Sequence, residues 1–303
     1  MSNAQIAEKI IKLKKERNAV ILAHNYQVPE VQDVADFVGD SLGLSRKASE
    51  TDAKVIVFCG VHFMAETASI LCPDKKVIIP EKDAGCPMAN MITAEELRAL
   101  KKKHPNATVL GYVNTSADVK AELDICCTSA NAVQIVESLK DVKEIIFVPD
   151  KYLADYVASV TKRKFISWNG YCPTHVKISA KDILKQKKLH PAAKVLVHPE
   201  CTREAIKLAD EVLSTEGMCR YAKKTDAREM LIGTEVGMLY RLEKLNPDKK
   251  FYPVSEDITC PNMKLTSLEK VLWALEDLKP EVKVPEDIRI RAKKAVERML
   301  AAL

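Results

Sequence analysis

NAVILAHNYQ (residues 18–27) is a short, nearly unbroken apolar run that ends abruptly in polar side chains, and it recurs as NATVLGYVNT (106–115) and AAKVLVHPEC (192–201). Aligning the apolar-to-polar switches superposes His24, Tyr112 and His198, which lie 88 and 86 residues apart. A chance match of one strand would stop there, but this one continues. Seventeen residues after each marker come Ser41, Ser129 and Thr215. Second apolar runs follow, KVIVF (54–58), KEIIF (143–147) and REMLI (228–232), each leading into a helical pattern. Third runs carry Val77, Phe165 and Phe251, and Cys86-Pro87, Cys172-Pro173 and Cys260-Pro261 close the three units.

Short, continuous apolar strands alternating with helical stretches predict parallel sheets covered on both faces, so the fold class is α/β, with each unit an αβα sandwich. The chain divides into an N-terminal helix (1–17), α/β repeats at 18–105, 106–191 and 192–279, and a C-terminal helix (280–303) packing back on the first repeat. In the first helix Ile6, Ile10, Ile11 and Leu13 are expected on one side. Functional groups of parallel sheets collect beyond the carboxyl ends of the strands. Three units around a pseudo-threefold axis would therefore aim HNY, YVNT, HPE and the Cys-Pro turns at one central cavity.

Composition narrows the function. The 303 residues are 47% hydrophobic and 29% charged, with no apolar run near the roughly 18 residues a membrane span needs. The N-terminus has no secretory apolar core, and a cytoplasmic location is expected. The net charge of +5 arises from basic residues interspersed with 42 acidic ones, which argues against nucleic acid as a partner. Nine cysteines in a reducing compartment point to metal binding or catalysis rather than disulfides.

Packing accounts for Cys59, Cys72 and Cys219, and for Cys126 and Cys127 at the end of a short apolar run. Cys201 adjoins the HPE cluster without an assignable role. Packing does not explain one Cys-Pro at the same place in three units. Cys86, Cys172 and Cys260 therefore read as a ligand set, and three thiolates on a 4Fe-4S cluster leave one iron open as a Lewis acid. A catalytic zinc on three thiolates is the alternative. His24, Tyr26, Tyr112, Asn114, His198 and Glu200 supply proton carriers and hydrogen-bonding groups at the strand ends. Ser41, Ser129 and Thr215 are expected as helix N-caps, at positions where amide donors also receive anions. Arg46 or Lys47 would add long-range attraction for a substrate carrying several negative charges.

The motifs AHNYQVPEVQDVADFVGDS, GYVNTSADVKAELD, TSANAV, HPEC and STEGM, together with the three cysteines, resemble the quinolinate synthase family. The resemblance runs from about Leu13 to beyond Met263 and so covers all three units. It implies a triangle of three sandwiches around a 4Fe-4S cluster held by Cys86, Cys172 and Cys260. It also implies condensation of iminoaspartate with dihydroxyacetone phosphate to quinolinate, phosphate and water, in NAD biosynthesis. Tyr26 and Glu200 would then transfer protons, with Tyr112 and His198 as further catalytic candidates. His24, Ser41, Tyr112, Asn114, Ser129, His198 and Thr215 would anchor substrate, and Phe63 would line the pocket. An aspartate-oxidising enzyme supplying the unstable iminoaspartate is the implied transient partner. Two features depart from the pattern. Cys260-Pro-Asn-Met263 lacks the Cys-x-x-Cys redox element of some members, and the turn Asp83-Ala-Gly-Cys86 differs from the Ala-Thr-Cys form of others. A diphthamide-synthesis-like radical enzyme also has three units with one Cys each, but HNYQ and HPEC argue against it. An iron-sulfur sensor or scaffold would need no ring of acid-base groups.

Overall fold

A computed structural model of the chain describes residues 1–302. Twelve strands form three four-stranded sheets, all parallel. The first holds β1 (Ala19–His24), β2 (Phe37–Gly39), β3 (Val55–Cys59) and β4 (Lys76–Ile78). The second holds β5 (Thr108–Tyr112), β6 (Ile125–Cys127), β7 (Ile145–Val148) and β8 (Ile166–Ser167). The third holds β9 (Lys194–Val197), β10 (Glu211–Val212), β11 (Glu229–Gly233) and β12 (Lys250–Pro253). Strand order is the same in each: β2-β1-β3-β4, β6-β5-β7-β8 and β10-β9-β11-β12. The chain reverses direction across the sheet between the two central strands, and the crevice outside their carboxyl ends is where such sheets place ligands.

Side-chain alternation explains why the strands read as continuous apolar runs. Val20, Leu22, Ile56 and Phe58 face the central core, while Ile21, Ala23, Val55 and Val57 face a separate core under flanking helices. The third sheet repeats this, with Leu196, Met230 and Ile232 inward and Val195, Val197 and Leu231 outward. The inward faces of all three sheets contribute to one continuous core, which holds the units as one body.

The edge strands β2, β6 and β10 were not read in the sequence. Each is set by an aspartate that bonds twice to the central strand. The Asp36, Asp124 and Asp210 carboxylates accept from the amides of Ile21, Val109 and Val195 at 2.8, 2.7 and 2.8 Å. Their own amides donate to the carbonyls of the same three residues.

The N-terminal helix Asn3–Glu16 carries a capping box formed by Ser2 and Gln5, and buries Ile6 and Ile10 against helix Leu268–Asp277. Ile11 differs from expectation. It is 46% exposed, because its place one residue beyond Ile10 turns it about 100° off the buried stripe. The C-terminal helix Glu286–Ala301 does not pack on the first unit alone. It lies against helix His62–Leu71 of the first unit and against β6 and helix Ala117–Lys120 of the second, with Ala292, Ala295, Val296 and Met299 buried. No helix among the described residues is long and apolar enough to cross a membrane.

Candidate active site

The carboxyl ends of the three sheets meet at one cavity of about 190 Å³. Its wall includes Cys86, Cys172 and Cys260, and also His24, Tyr26, Ser41, Phe63, Tyr112, Asn114, Ser129, His198, Glu200 and Thr215. Residues distant in sequence converge because each unit presents its first strand end, its helix start and its Cys-Pro turn on the same side.

The capping expectation needs correction. Asp40, not Ser41, caps helix Ser41–Glu50, its Oδ1 accepting from the Gly43 amide at 2.8 Å. Ser214, not Thr215, caps helix Thr215–Lys224. Asn131 occupies the cap position of helix Ala132–Ser138, two residues beyond Ser129. The cap needs an extended backbone with its oxygen turned onto the helix's own amides, and Asp40 and Ser214 have that conformation. Ser41 and Thr215 are then the first helical residues, and their hydroxyls line the cavity instead of closing the helix.

Each cysteine begins a tight turn: Met88–Asn90, His175–Lys177 and Pro261–Leu265 are short 3₁₀ segments following the Cys-Pro pairs. Their backbone amides face the sulfurs, Met88 and Ala89 toward Cys86, His175 toward Cys172, and Asn262 and Met263 toward Cys260. Burial pushes the Cys86 thiol up to about 12 and raises Cys172 and Cys260, while these amides pull the other way. A bound cation supplies the charge that makes such thiols ligating thiolates, and amide donors to sulfur are a recurrent tuning element of iron-sulfur sites. The donor set therefore fits a cluster. The loops are tied to one another as well, since the Asn262 amide donates to the Gly85 carbonyl at 2.7 Å.

Cys172, His175 and Glu200 bring three ligand atoms within 4.8 Å of one another. Without an ion they form a hydrogen-bond network, with His175 Nδ1 lying 2.8 Å from Glu200 Oε2 and 3.1 Å from Cys172 Sγ. A carboxylate only accepts, so Nδ1 carries a hydrogen, and in the neutral ring Nε2 is then the acceptor. The Thr234 hydroxyl lies 2.8 Å from that Nε2, and the Tyr26 hydroxyl lies 2.5 Å from Thr234 Oγ1. Tyr112 donates to Glu200 Oε1 from the other side. The result is a directed chain in which Tyr26 donates to Thr234, Thr234 to His175 and His175 to Glu200. Burial, reinforced by the Glu200 charge, raises both tyrosines well above their ordinary value, so both rest protonated. Burial alone would raise Glu200 too, but its polar neighbours His175 and His198 and the hydrogen bonds that His175 and Tyr112 donate to it hold its carboxyl below the usual range.

His24 and His198 share a local device. The amide two residues on, Tyr26 or Glu200, donates to Nδ1 at 3.2 or 3.3 Å. Burial lowers both rings to about 3, so each is neutral with its one hydrogen on Nε2. His198 Nε2 donates to Ser129 Oγ at 3.1 Å.

His175 and Thr234 escaped the sequence reading. His175 has no counterpart after Cys86 or Cys260, where Ala89 and Met263 stand, so the repeat could not point to it. Its one signal was a histidine three residues after a candidate ligand.

Three half-buried thiols, a hydrogen-bonded chain of tyrosine, threonine, histidine and carboxylate, and two helix starts around one cavity of three α/β units have the makings of an enzyme's active site. The sequence model of the family described as Quinolinate synthetase A protein matches residues 8–301, and this chain belongs to that family. It is 60% identical over 295 residues to the quinolinate synthase of Dehalococcoides mccartyi (strain CBDB1), covering 97% of each chain. Against the quinolinate synthase of Methanosarcina barkeri (strain Fusaro / DSM 804) it is 58% identical over 301 residues, 99% of each. Against that of Thermodesulfovibrio yellowstonii (strain ATCC 51303 / DSM 11347 / YP87) it is 58% identical over 297 residues, 98% of each.

Proposed function

We propose that this protein condenses iminoaspartate with dihydroxyacetone phosphate to form quinolinate, phosphate and water, using a 4Fe-4S cluster on Cys86, Cys172 and Cys260. The observation that carries the reading is the directed chain from Tyr26 through Thr234 and His175 to Glu200, set beside three amide-cradled cysteines in one cavity. When bound, the cluster would supply Lewis-acid assistance to loss of a substrate hydroxyl through its iron without a protein ligand.

The chain's own residues account for the rest. Forming an aromatic pyridine requires several carbon and nitrogen deprotonations. A proton taken up at the Tyr26 oxygen can be matched by transfer along Thr234 and His175 to Glu200, so that no isolated charge is left in the buried site. Tyr112, donating to the same carboxylate, is placed to return a proton to a departing oxygen. His24 offers a neutral Nε2–H donor, and Ser41, Ser129 and Thr215 offer hydroxyls, to carboxylate and phosphate oxygens. Phe63, 4% exposed, supplies an apolar wall for the forming ring.

Anaerobically prepared protein, given dihydroxyacetone phosphate and freshly generated iminoaspartate, should release quinolinate and phosphate in equal amounts. Consumption of S-adenosylmethionine instead, with no quinolinate, would overturn the reading.

Ser129→Ala tests the anchoring role. Because Asn131 holds the cap position, loss of the Ser129 hydroxyl should shift stability by less than the roughly 1 kcal/mol of a lost cap. Its KM for the phosphorylated substrate should rise severalfold with the melting temperature near that of the parent. Parallel loss of fold and binding would make Ser129 structural.

A further inference from the structure

We propose that Asn25 and Arg241, which lie behind the cavity wall, are positioning residues that hold the Thr215 hydroxyl as a hydrogen-bond donor toward a deprotonated carboxylate or phosphate oxygen of the substrate. The proposal rests on the reading of Thr215 as an anchoring residue. Its basis is the polarity of a buried relay. Arg241 reaches Asn25 Oδ1 through Nη1. A guanidinium has donors only, so this contact settles which end of the Asn25 amide is oxygen. The nitrogen end must then face Thr215, where Asn25 Nδ2 donates to Oγ1 at 2.7 Å. Asn25 is fully buried and cannot turn out to solvent. With its oxygen accepting, Thr215 has its own hydrogen left over, and the hydroxyl borders the cavity.

Glu216 pairs with Arg241 at 3.0 Å, so the relay delivers a polarised amide rather than a net charge. The device is used twice. Asn25 reaches from the first unit to the helix start of the third, and His198 reaches from the third unit to Ser129 in the second, again with a nitrogen donating to the hydroxyl. A hydroxyl held this way favours an acceptor and disfavours a protonated acid or an amine at the same spot.

The test is a double-mutant cycle read by calorimetric binding of quinolinate to the anaerobically prepared full chain. Asn25→Asp keeps shape and the Arg241 contact, but its carboxylate can only accept, which draws the Thr215 hydrogen backward. Thr215→Val removes the hydroxyl and leaves Asn25 in place. Each single change should weaken binding about 10-fold, and the double variant should be no more than about 3-fold weaker than either single, because both act through one hydroxyl. Arg241→Gln, which releases the amide to flip, gives a second reading that does not depend on an added charge. It should weaken binding severalfold in the parent and have no effect in the Thr215→Val background. Additive losses, approaching 100-fold in the Asn25→Asp/Thr215→Val protein, would overturn the inference, as would parental affinity in Asn25→Asp. If the parent chain itself failed to bind quinolinate, the functional reading would fall and the inference with it.

Discussion

Replacing Cys172 by alanine should leave the chain with less than about a tenth of the parental iron and acid-labile sulfide, and with no measurable quinolinate formation. A three-cysteine site has no spare protein ligand, so losing one thiolate removes a covalent anchor rather than a weak contact. Alanine at Cys86 or Cys260 should act alike, because each sulfur sits in an equivalent amide-lined turn. Cys59 and Cys72 are buried in apolar surroundings and do not line the cavity. Alanine there should leave metal content unchanged. Iron and sulfide analysis of anaerobic preparations, with circular dichroism to confirm folding, checks all five variants. Full metal content in Cys172→Ala would remove the ligand assignment.

Breaking the proton-transfer chain should be nearly as costly. Tyr26→Phe deletes one hydroxyl and keeps the ring that packs edge-on to His24 at 4.5 Å. Glu200→Gln replaces the terminal acceptor with an amide of almost the same shape. Both should keep the cluster and bind substrate, yet turn over about 10²-fold or more slowly, the usual worth of a positioned acid or base. His175→Gln should fall in the same range, although His175 was not apparent from sequence. Single-turnover kinetics with matched cluster content measures the chemical step. Parental rates in Tyr26→Phe and Glu200→Gln would move the acid-base roles to Tyr112 or His198.

Much of this architecture was legible because it is written three times. One strand ending in His24 is ambiguous, but the same switch at Tyr112 and His198, followed by hydroxyl and cysteine at fixed offsets, shows the parallel α/β units and picks three cysteines out of nine. The edge strands were not legible, since β2, β6 and β10 span only two or three residues and carry no periodicity. Their signal was Asp36, Asp124 and Asp210, each twelve residues past the marker. The caps were misplaced by one residue at Ser41 and Thr215, because neighbouring polar residues compete and backbone angles decide between them. His175 and Thr234 belong to single units and are brought to Tyr26 and Glu200 only by the folded chain. The C-terminal helix shows the same limit. Its apolar stripe was readable, but its seat across two units depends on tertiary contacts with β6 and helix His62–Leu71.

We propose that one cluster sits on Cys86, Cys172 and Cys260 with one iron left without a protein ligand. Mössbauer spectroscopy of the iron-57-labelled, anaerobically purified protein, combined with iron and sulfide counts, tests it most directly. Four irons and four sulfides per chain are expected, and a quadrupole doublet from one iron in four that shifts when substrate is added while the other three stay put. A single zinc per chain, or four equivalent irons indifferent to substrate, would contradict it.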